Sequence, residues 1–201
     1  MRAEEVKYGQ LKAILFEKRP EAQPLFEFLE NELGFLIAPA SSEYHCSYRG
    51  GLLAHSVSVV TFLLKLRVGL GVGKQYGVSV PSCILVGLAH DVGKLGTKGR
   101  PQYSDKGQGE YKRNEDTPPV HLEHAVRSLE VVSRFVSLST WEAQAIVGHD
   151  GQYIPLNRWM ALKENPLTVL LHVADIWSAQ FVETTYCIPN EIWLPGGEND
   201  D

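Results

Sequence analysis

The stretch LVGLAHDVGK, residues 85–94, is the most informative part of this chain. It is apolar up to the pair His90 and Asp91, at which the apolar run ends. Because a buried carboxylate is costly unless something positive pairs with it, packing alone is a poor explanation of Asp91. Neutral imidazole and carboxylate are common ligands of divalent metal ions. The pair therefore indicates a metal site, if other parts of the chain supply further ligands.

Length and composition set the broad class of the protein. The chain has 201 residues, of which 44% are hydrophobic, which is enough for one well-buried domain and short for two. Its net charge of -5 gives no global attraction to nucleic acid or a membrane. We expect no membrane-spanning stretch and no signal peptide. The sparse, odd set of cysteines, Cys46, Cys83 and Cys187, suits a reducing compartment, so the expected location is the cytoplasm.

The spacing of apolar residues predicts a mostly helical chain. Helices are expected over residues 4–17, 21–33, 52–66, 81–91, 120–135, 140–148 and 167–184. Pro81 and Pro166 stand at first helical positions, and residues 139–142 have the spacing of a capping box. Residues 189–201 are rich in glycine and acidic residues and predict a flexible tail.

Residues 95–119 differ from the rest of the chain because they are polar and basic. A loop of this length in a compact domain is usually a lid, a hairpin or a disordered insert, and we favour a small hairpin or lid beside the site. Its basic residues include Lys106, Lys112 and Arg113. The candidates for contacts with phosphate or a base are Lys98, Arg100, Tyr103 and Tyr111.

Further candidate ligands recur along the chain at intervals of roughly thirty residues, about one helix and one connection each. A helical bundle can project one such side chain from each helix into a common centre. The candidate metal ligands are His55, His90, Asp91, His121, His149 and Asp175.

This order of residues, H…HD…H…H…D, together with GGLLAHS at residues 50–56, resembles the HD superfamily of metal-dependent phosphohydrolases. The likeness runs from residue 44 to residue 183. It implies a compact all-α bundle of the HD type. Together with the N-terminal helices that the apolar spacing predicts over residues 4–33, this gives one domain over residues 1–201. The likeness also implies one or two divalent metal ions, of which Mn, Fe, Zn, Co, Ni and Mg are all candidates.

The resemblance assigns the ligands to two metal positions. The first would be held by His55, His90, Asp91 and Asp175. Asp91 would bridge to a second metal, completed by His121 and His149. His124 is the alternative to His121, and a small residue four positions on, Ala125, favours His121.

The sequence gives weaker signals for residues that contact substrate than for metal ligands. Lys94 lies one helical turn from Asp91 and supplies a point charge suited to a phosphoryl oxygen, so both are candidate catalytic residues. Arg49 and His45 are further candidates for substrate binding. Asp150, next to His149, reads as a turn residue, or else as a carboxylate that orients the imidazole.

The expected function is hydrolysis of a phosphate ester or anhydride, with a nucleotide as the favoured substrate. One alternative is a 3′-to-5′ exonuclease or phosphodiesterase acting on short single strands. A di-iron oxygenase of the same superfamily is a second alternative, and an inactive module that binds a nucleotide or a partner is a third. We expect a small phosphorylated partner, no membrane and no stable nucleic-acid complex, whereas the sequence leaves the oligomeric state open.

Overall fold

The computed structural model describes residues 2–76, 78–107, 109–114 and 121–183. In this part of the chain the fold is predominantly helical, as predicted, with two small antiparallel sheets. The α-helices are α1 (Ala3–Lys18), α2 (Gln23–Asn31), α3 (Gly51–Gly69), α4 (Val80–Ala89), α5 (His124–Ser133), α6 (Thr140–Gly148) and α7 (Pro166–Trp177). A 3-10 turn, Val92–Leu95, follows α4, and a π-helical turn, Ser178–Val182, continues α7.

Local signals explain where most of these helices begin. Ser139 accepts a hydrogen bond from the backbone of Glu142, whose side chain bonds back to the Ser139 backbone, so the predicted capping box is present. Asn165 caps α7 through the backbone of Thr168. Helix α5 is different: it begins at His124, although the sequence predicted a start near residue 120.

Helix α3 is the central element of the core. It packs against α4 on one side and α7 on another. A Cβ at Gly87 in α4 would lie 2.6 Å from Cγ2 of Val60, so glycine at this position lets the backbones of α3 and α4 come close. The close approach brings His55, on α3, next to His90, at the end of α4.

Helix α3 corrects one expectation from the sequence. With 19 residues, it is long and apolar enough to cross a membrane by length and composition, although no such stretch was expected. However, 78% of its most apolar window is buried inside the protein, which is the environment of a core helix. Its hydrophobicity is therefore accounted for by contacts within the domain.

The favoured small hairpin is present in residues 95–107 and 109–114, the described part of this polar segment. Strands β1 (Gly96–Thr97) and β2 (Arg100–Pro101) form one antiparallel pair, and β3 (Tyr103–Gly107) and β4 (Glu110–Arg113) form another. The backbone N–H of Asn114 donates to the Gln102 carbonyl, so the end of β4 is tied back to the start of β3. The tail predicted over residues 189–201 lies outside the described residues.

Candidate metal centre

Four imidazoles and three aspartates meet where five helices end or pass each other. Most of these side chains are buried: His55 and His90 expose none of their surface, and Asp91 and His149 expose 1% each. The side chains come from α3, the end of α4, the start of α5, the end of α6 and α7: His55, His90, Asp91, His124, His149, Asp150 and Asp175.

The first group of ligand atoms surrounds His55. Its Nε2 lies 3.2 Å from Nε2 of His90, 3.1 Å from Oδ1 of Asp175 and 3.5 Å from Oδ2 of Asp91. Ligand atoms held about 2.1 Å from one metal ion are about 3.0 to 3.4 Å apart at octahedral or tetrahedral angles. His55, His90 and Asp175 form one group that could hold a metal ion, with 3.9 Å between Nε2 of His90 and Oδ1 of Asp175, and Oδ2 of Asp91 lies 3.7 Å from Nε2 of His90.

The second group surrounds His124. Its Nε2 lies 3.2 Å from Nε2 of His149 and 3.2 Å from Oδ2 of Asp150. Oδ1 of Asp91 lies 3.4 Å from Nε2 of both histidines. Asp91 thus presents one carboxylate oxygen to each group, as a carboxylate that bridges two metal ions does.

The surroundings of Asp91 fit a cation as well. Its Oδ1 atom is buried and accepts no hydrogen bond from the described residues. Its Oδ2 atom accepts a hydrogen bond of 2.5 Å from Nζ of Lys94. A buried carboxylate oxygen without a donor is costly, and a divalent ion between Asp91 and the imidazoles would satisfy it. Nitrogen and carboxylate ligands of this kind suit Mn, Fe, Zn, Co or Ni better than soft metals.

Hydrogen bonds to the Nδ1 atoms fix the orientation of three imidazole rings, so that each Nε2 atom faces the centre. Nδ1 of His90 donates to the Gly87 carbonyl at 2.9 Å, and Nδ1 of His149 donates to the Ile146 carbonyl at 2.8 Å. Because a carbonyl only accepts, Nδ1 carries the proton in both rings, and in the neutral form Nε2 presents its lone pair inward. Nδ1 of His55 is held in the same way by Oε1 of Glu183 at 2.8 Å.

Opposing effects set the charges of the first group. Burial lowers the pKa of His90 to about 4, so this imidazole is neutral. Burial also lowers the pKa of His55, but the carboxylates of Glu183 and Asp175 outweigh it and raise the pKa to about 10. A metal ion at Nε2 of His55 would displace the proton held there.

In the second group, too, burial and neighbouring charges have opposite effects on the pKa values. Burial lowers the pKa of His149, but the carboxylates of Asp91 and Asp150 outweigh it and raise the pKa to about 9. Burial lowers the pKa of His124. Burial by itself would raise the pKa of Asp91, yet the neighbouring positive charge of Lys94 holds it well below its usual range, so the bridging carboxylate is ionised.

His124, rather than His121, joins this centre, and Gly93 provides the physical reason. A Cβ at Gly93 would lie 2.0 Å from the carbonyl oxygen of His124, so the first turn of α5 rests directly on the turn after Asp91. The backbone N–H of Gly93 also donates to Oγ of Ser128 at 2.8 Å. His121 precedes α5, outside this contact, and its side chain is exposed.

Two acidic residues of the centre were not among the predicted ligands. Asp150 lies within reach of both histidines of the second group, although it was read as a turn or orienting residue. The repeat of a His-Asp pair, His149-Asp150 after His90-Asp91, is a signal that could have identified it. Glu183 follows the π-helical turn after α7, where nothing in the local sequence distinguishes it from a surface acid.

The predicted substrate-side residues are placed differently from one another. Lys94 lies at the centre through its hydrogen bond to Asp91. The ring of His45 lies tilted against that of His55, with ring centroids 5.0 Å apart, and its Nε2 atom is buried without a hydrogen-bond partner among the described residues. The side chain of Arg49 is exposed, and the hydrogen bond described for this residue is accepted by its backbone carbonyl from Arg2.

Searches with this chain found no matching protein-family model, no matching curated protein and no matching solved structure. What can be said about function therefore comes from the chain's own residues.

Proposed function

We propose that this protein is a metal-dependent phosphohydrolase of the HD type that acts on a phosphate ester or anhydride, with a nucleotide as the favoured substrate. The observation that carries the proposal is the position of Asp91 between two groups of ligand atoms, with Lys94 bonded to the same carboxylate. The order of these residues along the helices is the order that the resemblance to the superfamily requires, with His124 in the place of His121.

The chain's own residues would have distinct roles. His55, His90 and Asp175 would hold one ion, and His124, His149 and Asp150 would hold the other. Divalent ions bound there would polarise a phosphoryl oxygen and activate water for attack on phosphorus. Glu183 would keep the ring of His55 in the orientation that directs Nε2 inward, as carboxylate partners of ligating histidines do.

Lys94 favours phosphate chemistry over the oxygenase alternative. Its ammonium group is held against the bridging carboxylate, and Asp91 raises its pKa although burial lowers it, so it stays positively charged. A fixed positive charge beside two metal positions can neutralise the charge that develops on phosphoryl oxygens in the transition state.

The first experiment is metal analysis of the purified protein, followed by a hydrolysis screen. The screen compares nucleoside mono-, di- and triphosphates, cyclic nucleotides and short oligonucleotides, each with Mn²⁺, Mg²⁺, Zn²⁺, Co²⁺, Ni²⁺ or Fe²⁺. Release of phosphate, pyrophosphate or triphosphate identifies the bond that is cleaved. We expect metal-dependent hydrolysis that a chelator abolishes and added metal restores.

The matched variants are Asp91→Ala and Glu110→Ala. Asp91→Ala removes the bridging carboxylate and should reduce turnover by at least 1,000-fold, on the order expected for loss of a metal-bridging ligand. Glu110 is an exposed carboxylate on β4, so its removal should leave turnover unchanged. Folding of both variants is checked by circular dichroism. Full activity of a folded Asp91→Ala variant, or iron- and oxygen-dependent turnover without hydrolysis, would contradict the proposal.

A further inference from the structure

A polar cavity of about 240 Å³ adjoins the second group of ligands. We call it the side cavity. It lies between the hairpin β3–β4 and the start of α5. Its lining residues are Lys94, Gln102, Tyr103, Arg113, His121, Leu122, Glu123 and His124. Two of them, Lys94 and His124, also belong to the candidate metal centre, so the side cavity opens next to the position of the second metal.

The side cavity is lined by charged side chains of both signs. Lys94 and Arg113 are cationic, and among the lining residues Glu123 is the one carboxylate. Lys94 already has a partner in Asp91. By contrast, Arg113 has no ion pair within the part of the chain that the structure describes. Arg113 is exposed and lines the side cavity, and guanidinium groups bind phosphate through two parallel hydrogen bonds.

The hairpin supplies this guanidinium through its strand geometry. Tyr111 and Arg113 are two residues apart on β4 and share a face, and the side chain of Tyr111 is buried. Lys112 lies between them and points to the opposite face, away from the side cavity. Across the strand pair, Tyr103 stands opposite Arg113 and also lines the cavity.

We propose that the side cavity binds an anionic group of the substrate other than the phosphate that is hydrolysed. Preferred substrates then carry two neighbouring phosphates, as nucleoside diphosphates and triphosphates do. The scissile phosphate lies at the metal centre, and the second phosphate lies between Arg113 and His121. This assignment rests on the proposed phosphohydrolase function for the identity of the first group, whereas the binding of an anion by Arg113 does not depend on turnover.

The experiment compares two stable probes that the enzyme does not hydrolyse, methylenediphosphonate and methylphosphonate. Each is titrated into the metal-loaded full chain by isothermal calorimetry. Arg113→Gln removes the cavity cation, and Lys112→Gln removes an equal charge from the opposite face of the same strand. His121→Gln tests the opposite wall without altering the hairpin. Circular dichroism and metal content are measured for every variant.

We expect Arg113→Gln to weaken methylenediphosphonate binding about tenfold, the range of a lost charge-assisted contact, and methylphosphonate binding less than twofold. His121→Gln should weaken the diphosphonate about threefold, and Lys112→Gln should change neither probe by more than twofold. The inference is overturned if Arg113→Gln and Lys112→Gln behave alike, or if Arg113→Gln weakens both probes equally.

The outcomes separate this inference from the proposed function. If the protein hydrolyses phosphate esters but diphosphonate binding is independent of Arg113, the side-cavity assignment fails and the phosphohydrolase proposal stands. If no phosphate compound is hydrolysed but Arg113 still governs diphosphonate binding, the anion site stands and the proposed function fails.

Discussion

Replacing Gly93 with alanine should damage the second metal position while leaving the first intact. The new Cβ would lie 2.0 Å from the His124 carbonyl oxygen and 2.9 Å from the Ser128 backbone nitrogen. Both are backbone atoms of α5, which cannot rotate out of the way as a side chain can. Ordinary contact begins at 3.4 Å, so the first turn of α5 must move by about 1.4 Å, and His124 moves with it.

This displacement has a predicted cost in both stability and metal binding. Overpacking of this kind usually costs about 1 to 3 kcal/mol of unfolding free energy. A ligand moved by more than 1 Å leaves the range of metal–nitrogen distances, so the second equivalent of metal should be lost. His55, His90 and Asp175 do not belong to α5, and the first equivalent should remain.

The assays are urea unfolding of the metal-free protein and calorimetric titration with Mn²⁺. Gly9→Ala is the matched control because a Cβ at Gly9 meets nothing within 4 Å and the residue lies inside α1. Alanine there should stabilise the protein by about 0.5 to 1 kcal/mol and leave both metal equivalents. The reasoning is refuted if Gly93→Ala has wild-type stability and binds two equivalents with unchanged affinity.

Three further predictions concern the histidines, Glu183 and Cys46. His124→Ala should lose one of two metal equivalents, whereas His121→Ala should keep both, and elemental analysis of the two variants decides between them. Glu183→Gln should weaken binding of the first metal about 10- to 100-fold, since it weakens the support of His55, and a competition titration with a chromophoric chelator measures the change. Burial raises the pKa of the Cys46 thiol to about 12 from a usual value of 9.0, so the unfolded thiol ionises first. The free energy of unfolding therefore keeps this contribution in full below pH 9 and falls by about 1.4 kcal/mol per pH unit as the pH rises towards 12. Urea unfolding at several pH values measures this slope, which should be smaller in Cys46→Ala.

Periodicity and local signals were sufficient to predict the helices that bury one continuous face. Helix α6 begins where its capping box predicts, and α7 begins at the proline that follows Asn165. The His-Asp pair at the end of α4 could be recognised as a candidate site because an imidazole and a carboxylate have no packing role at the end of an apolar helix. These features depend on residues close together in the sequence, so no knowledge of tertiary contacts was needed.

The choice between His121 and His124 depends on a tertiary contact, so periodicity and local signals could not decide it. Helix α5 starts at His124, where its first turn meets Gly93, about thirty residues earlier in the chain, and not near residue 120 as predicted. The role of Glu183 likewise depends on a contact with His55, 128 residues away. The side cavity needs both the hairpin and the start of α5, which the sequence does not show to be neighbours.

The most direct test of the two-metal centre is anomalous X-ray scattering from crystals of the protein grown with Mn²⁺. We predict two anomalous peaks, one on each side of the Asp91 carboxylate. The ion at one peak should be bound by His55, His90 and Asp175. The ion at the other should be bound by His124, His149 and Asp150. The absence of any peak at Asp91, or Mn²⁺ bound only elsewhere on the protein, would contradict the central claim.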